Sequence, residues 1–263
     1  MNILKQKKLY LLDMDGTIYL DNDLFDGVLD FLAHIKNIGG RYMFLTNNSS
    51  KSVNKYIEKL ASLGIESTKE DFLTSTDATI LYLKDKPYKK IYALGTTSFK
   101  EQLRDAGYPI TDTLEDGIDC LCMGFDTELN FQKLEDACIL LGRGVDYIAT
   151  NPDWVCPTWY GYVPDCGSVS QMLYNATKRK PKFIGKPEPD MALLAIAASG
   201  FKKEEAVLIG DRLYTDIACG VNAGISTIFV LSGEGTMADV EKSEQKPEFI
   251  FENIQAVYKE ISE

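Results

Sequence analysis

The chain has 263 residues, room for one large domain or two smaller ones, and 45% hydrophobic with 25% charged content predicts a globular protein with a sizeable core. A net charge of −11 excludes a broad grip on nucleic acid, which needs clustered Lys and Arg, but leaves small anions open to a local metal or lysine. The early apolar run LYLL is cut by Asp13, too short for a signal peptide's central region or a span, so a cytoplasmic chain without a membrane partner is expected.

An apolar run near 9–13 reads as the first strand, followed by a helix over about 27–38 closed by Gly39–Gly40. A strand at 41–46, a helix ending at Gly64, a short strand at 71–75 and a helical stretch to about 84 come next. Lys86-Pro87 breaks the pattern and opens a second series, with strands at KIYALG, IDCLCMGF and DYIATN and a helix at FQKLEDACILLGRG. Residues 154–168, rich in Pro, Gly and aromatics, predict a loop or hairpin, and GSVSQMLYNATKR a helix. From PKFIGKPEPD the first style returns: a helix over about 189–199, strand AVLIGD, helix TDIACGVNAG, strand STIFVL, apolar EFIF and a last helix.

This alternation predicts an α/β fold, a Rossmann-like doubly wound parallel sheet. The natural parse is a discontinuous core, 1–84 plus 180–263, with an inserted α/β domain at 85–179. The six cysteines show no CxxC, and Cys120 and Cys122 read as small buried strand residues. The single histidine, His34, lies in a helical pattern, which makes triads and multi-His metal sites improbable.

Polar groups stand where three apolar strands end: Asp13 and Asp15, Thr46 with Asn47 and Asn48, and Gly210-Asp211. In open parallel sheets ligands bind outside the carboxyl ends of strands, so these groups can converge. If the backbone stays extended, Asp13 and Asp15 share a face and repel. Lys186, after a short apolar run and beside Pro187 and Pro189, supplies a held cation. Gathered carboxylates call for a hard cation, and oxygen ligands suit Mg²⁺. With the lysine and hydroxyl or amide donors, this describes a phosphoryl-transfer site, where an aspartate must be the nucleophile if the route is covalent. DMDGTIYLDNDL lacks the glycine and glutamate of an EF-hand, and IGKPEP lacks the P-loop's earlier glycine. SGEGTMADV fits GxGxxA, but only about 25 residues follow, too few for a dinucleotide half.

These motifs resemble those of the haloacid dehalogenase superfamily, in its aspartate-dependent phosphatase majority. DMDGT, LTNNS, IGKPEP and GDRLYTD look like its four motifs, in order and across the whole core. The long insertion between the second and third is similar to that of class IIA members, which carry a C2-type α/β cap there. The resemblance implies that Asp13 attacks phosphorus and that Asp15 protonates the leaving oxygen and then activates water. The residues fit this division: crowding by Asp13 is expected to favour the protonated form of Asp15, with Mg²⁺ taking the charge of Asp13. It implies Mg²⁺ held by Asp13, Asp211 and the backbone carbonyl of Asp15. Thr46, Asn47, Asn48 and Lys186 would bind substrate phosphate, with Asp216 holding Lys186 or the metal's water shell.

The implied function is a Mg²⁺-dependent phosphomonoesterase on small phosphorylated metabolites such as nucleotides or sugar phosphates. A phosphotransferase or phosphomutase using the same aspartyl-phosphate, and a non-catalytic ligand-binding member of the fold, are the alternatives. A homodimer is compatible with this reading, and no motif selects it. In the cap, Trp154, Trp159, Tyr160 and Tyr162 either stack on substrate or pack on the core. Asp126 and Asp153 read as solvated loop carboxylates. Asp165, where relatives often have Gly, is expected to disfavour a second anionic group on the substrate.

Overall fold

The computed structural model describes residues 3–158 and 160–263, and these fall into two compact units. The first comprises Met1–Thr46, Tyr56–Leu73 and Lys186–Glu263; the second comprises Asn47–Lys55 and Thr74–Gly185.

In the first unit Leu9–Leu12 is the central strand, flanked by parallel partners Ala206–Gly210 and Arg41–Thr46. All four of its residues are buried, the reason the run LYLL is continuously apolar rather than alternating. The six-stranded sheet runs Phe249–Phe251, Ser226–Val230, Ala206–Gly210, Leu9–Leu12, Arg41–Thr46, Phe72–Thr74 in space. The chain leaves the central strand toward one neighbour and returns on its other side, which makes that strand the switch point of a doubly wound sheet. The helix Val28–Asn37 buries Val28, Phe31, Leu32 and Ile35, the i, i+3, i+4, i+7 stripe of an amphipathic helix. His34 lies on another face, edge-on to Tyr258 at 5.7 Å.

The second unit is built on a parallel five-stranded sheet in the order Lys182–Phe183, Asp146–Ala149, Cys120–Met123, Ile91–Leu94, Ile110–Thr111. Its middle strand alternates. Cys120 and Cys122 pack with Ile91, Phe99 and Leu103, while Leu121 and Met123 pack with Leu140, Val169 and Leu173. Both cysteines are buried structural residues, and burial pushes their thiols up, away from the reactive thiolate. Residues 154–168 contain an antiparallel hairpin, Val155–Thr158 with Gly161–Pro164.

Two observations differ from the sequence expectation. The helix Ser75–Leu83, expected to end the core, groups with the second unit because Leu83 packs into the Ile91, Phe99, Leu103 cluster and the Tyr108 O–H donates to the Ile80 carbonyl at 2.6 Å. A helix at Thr97–Asp105, capped by Thr96, was not expected at all; only Phe99, Lys100 and Leu103 are buried along it, a faint apolar signal.

Candidate active site

Register brings three strand ends level. Leu12 lies opposite Ile209 on one side and Phe44 on the other, so the residues that follow are Asp13, Gly210 and Leu45. The Asp13 N–H donates to the Ile209 carbonyl at 2.9 Å, carrying the ladder one step further and fixing where the side chain leaves the sheet. Asp211 and Thr46 come one residue later, both buried.

Lys186 ties this edge together. Its ammonium donates to Asp13 Oδ1 at 2.6 Å, Asp216 Oδ1 at 2.5 Å and the Leu45 carbonyl at 3.0 Å, matching its three N–H groups with three acceptors. The side chain is 2% exposed. Asp216 sits in a widened helical turn, Leu213–Ile217, and its Oδ2 accepts the Arg212 N–H at 3.1 Å. Such π-type turns let a side chain project where a regular helix would not place it.

Asp13, Asp211 and Asp216 bring carboxylate oxygens within 4.8 Å of one another. Three carboxylates face one lysine, an excess of negative charge. Burial raises the Asp13 carboxyl well above the ordinary range, and Asp216 adds to this despite Lys186. Burial, then Asp216, lifts Asp211 to about 7. Burial alone would lower the Lys186 ammonium, but Asp13 and Asp216 reverse that and hold it above the usual lysine range. Asp211 Oδ1 is buried with no hydrogen-bond partner, although a buried carboxylate oxygen ordinarily has one.

Asp15 lies apart from this cluster. The strand ends at Leu12, so the alternation of an extended chain does not carry through to residue 15. Its Oδ2 accepts the Tyr19 O–H at 3.5 Å, and its Oδ1 is 3.9 Å from the Lys59 ammonium, which stands 3.7 Å from the Tyr19 ring centroid. The two acids therefore meet different cations.

Asn47 and Asn48 belong to the second unit. Asn47 Nδ2 donates to Asp153 Oδ1 at 3.3 Å and its carbonyl accepts the Ser75 hydroxyl at 2.6 Å. Asn48 Oδ1 accepts the Ser50 N–H at 3.0 Å and its hydroxyl at 2.7 Å, an Asx-type turn.

The expectation that Asp126 and Asp153 are solvated is corrected. Both are buried, Asp126 in an ion pair with Lys133 at 2.7 Å and Asp153 against Asn47. Asp165 is also buried: its Oδ1 accepts the Cys166 N–H at 2.5 Å and Asn151 Nδ2 at 3.2 Å, capping the helix Cys166–Thr177. A carboxylate committed to a helix N-terminus is not one held out toward a ligand. Trp154, Tyr160 and Tyr162 are half or more exposed; Trp159 lies outside the described residues.

Sequence reasoning missed Tyr19 and Lys59 beside Asp15, and Gly233 and Glu234 beside Asp211. Four elements separate Lys59 from Asp15 in the chain, and only the fold joins them. The glycine pattern at 233–235 was a signal, but for the wrong chemistry.

A parallel α/β fold with an acidic, lysine-bearing cluster at its strand ends suits a phosphoryl-transfer enzyme. Residues 10–109 match the family model for haloacid dehalogenase-like hydrolases, and residues 183–257 match a HAD-hydrolase-like model. An acid sugar phosphatase of Staphylococcus aureus is 33% identical over 259 residues, covering 98% of this chain and 99% of that protein. The crystal structure of a 4-nitrophenylphosphatase from Thermotoga maritima superposes with a TM-score of 0.92 at 40% identity, over 99% of this chain and 100% of that one. A glycerol phosphate phosphatase from Mycobacterium tuberculosis, solved in complex with magnesium, gives 0.89 at 28% identity, over 98% of this chain and 78% of that one. The chain belongs to the haloacid dehalogenase-like hydrolase family, in its class IIA branch, and is a phosphatase.

Proposed function

We propose that the protein is a Mg²⁺-dependent phosphomonoesterase of small phosphorylated metabolites, nucleotides or sugar phosphates, acting through an aspartyl-phosphate on Asp13. The observation that carries this reading is the buried Asp13–Lys186–Asp216 chain beside Asp211, whose Oδ1 lacks a partner. The donor set fits a divalent cation. It is all oxygen, it holds excess negative charge, and one buried oxygen is unsatisfied. Lys186 and the Arg212 N–H occupy both oxygens of Asp216, which leaves Asp13 and Asp211 as side-chain ligands, with the Asp15 carbonyl as the backbone one. Bound Mg²⁺ would neutralise phosphoryl charge and keep Asp13 ionised.

The chain's own residues supply the rest. The Thr46 hydroxyl and the Asn47 backbone N–H hold phosphate oxygens, while the Lys186 ammonium, its three N–H groups committed to protein acceptors, supplies positive charge beside them. An Asp13 oxygen forms a bond to phosphorus as the ester P–O bond breaks, and Asp15 gives its proton to the leaving oxygen. Asp15 then takes a proton from water, whose oxygen attacks phosphorus. The Asp13–phosphorus bond breaks and phosphate departs, with Asp15 protonated again. The relatives' names, acid sugar phosphatase and glycerol phosphate phosphatase, support a small phosphorylated substrate. We assign residues 85–179 to a C2-type cap and the enzyme to the cytoplasm; no helix among the described residues is long and apolar enough to cross a membrane.

The test is p-nitrophenyl phosphate turnover. Mg²⁺ should support it, EDTA abolish it, and Asp13→Asn lower it by about 10³-fold or more. Equal rates for wild type and Asp13→Asn would remove the assigned nucleophile. Ranking phosphorylated metabolites by kcat/KM then identifies the substrate.

A further inference from the structure

The glycine-rich segment after the Ser226–Val230 strand runs against Asp211 and leads into the six-residue helix Met237–Lys242. The Gly235 N–H donates to the Asp211 carbonyl at 3.1 Å, and the Glu234 N–H to Asp211 Oδ2 at 2.7 Å. Ser232 Oγ donates to the Gly16 carbonyl at 2.7 Å, tying the segment to the loop that carries Asp13 and Asp15. Two glycines close on the same carboxylate. A Cβ on Gly16, whose φ is +90°, would lie 2.5 Å from Asp211 Oδ2, and one on Gly233 would overlap the carboxyl outright. Oδ2 is thereby enclosed and satisfied, while Oδ1 is buried and unpartnered. Rotating the carboxylate would take Oδ2 off its amide donor.

A side-chain link holds the segment in place. The Glu234 carboxylate pairs with the Arg212 guanidinium at 2.8 Å, next to Asp211 in the chain. The pair lines a cavity of about 360 Å³ together with Tyr214 and Lys242, so exchanging Glu234 for Gln opens no void in packed core.

The geometry points to a positioning role: Ser232–Gly235, latched by the Glu234–Arg212 pair, orients Asp211 so that Oδ1 is presented to the divalent cation, and so sets metal affinity. This rests on the reading of Asp211 as a metal ligand. Hydrogen-bond partners of metal ligands typically govern 10–100-fold in affinity.

The test is calorimetric titration of Mn²⁺ into the metal-free full chain, with the unfolding midpoint in EDTA measured alongside. Gly233→Ala should weaken Mn²⁺ binding by about 10–100-fold and Glu234→Gln by about tenfold. For Glu234→Gln the EDTA midpoint should stay near the wild-type value; a merely structural residue would move the midpoint and leave the Kd. If Gly233→Ala does not fold, Glu234→Gln and Ser232→Ala carry the test. A Glu234→Gln Kd within twofold of wild type overturns the positioning role while the metal site stands. A wild type that binds no Mn²⁺ overturns the metal site, and this inference with it.

Discussion

Replacing Lys186 with Met would leave Asp13 and Asp216 facing each other in a buried space with no cation between them. Breaking a buried ion pair on one side typically costs about 3–5 kcal/mol. Lys186→Met should lower the unfolding free energy by about that much, as read by urea denaturation in EDTA, and abolish turnover. Lys59 is a contrasting case. Its ion pair with Asp15 is long, at 3.9 Å, and both side chains are partly exposed, 20% and 32%. Pairs of that kind are worth about 0.2–1 kcal/mol. Lys59→Met should therefore lower kcat by about two- to fivefold and leave the melting temperature nearly unchanged, a split that steady-state kinetics and a thermal melt would show together. Lys186 was legible in the sequence because Gly185 and Pro187 flank it after an apolar run; Lys59 was not, because nothing local distinguishes it from any helical surface lysine.

Among the elements, the helix Cys166–Thr177 shows how a local signal can be read for the wrong purpose. Asp165 followed by a helical pattern is a capping signal, yet against a glycine expected there it reads as a specificity residue. The structure gives it two donors, the Cys166 N–H and Asn151 Nδ2. Asp165→Ala removes the cap and orphans a buried amide, which should cost about 1–3 kcal/mol in urea denaturation. The helix Thr97–Asp105 was illegible for the opposite reason. Its buried stripe is narrow, and most of its residues are polar, so periodicity had little to act on. The strand LYLL was legible because a parallel strand covered on both faces is apolar at every position.

At the scale of the whole molecule, the cluster's excess negative charge makes the metal-free protein sensitive to pH. Burial and Asp216 raise Asp211 from 3.8 to about 7. A carboxyl whose folded pKa is raised favours folding fully below its unfolded value, and that contribution is lost as pH rises through the folded one. In EDTA, wild-type stability should therefore fall between pH about 4 and about 7 relative to Asp211→Asn, measured by chemical denaturation across that range. Saturating Mg²⁺ should remove the slope and raise the melting temperature, since a ligand at 100 times its Kd stabilises by about 2.7 kcal/mol. Asp211→Asn should lose that Mg²⁺ response.

The sequence by itself determined the α/β alternation, the strand ends that carry Asp13, Thr46 and Asp211, and the lysine that answers them, because hydrophobic period and chain breakers are local properties. Only the tertiary structure decided which groups meet. Strand register set Asp13 level with Gly210 and Leu45, a widened turn brought Asp216 to Lys186, and two glycines more than 200 residues apart, Gly16 and Gly233, closed on one carboxylate. Distances between residues far apart in the chain follow from how the whole sheet packs, and no window of the sequence contains them.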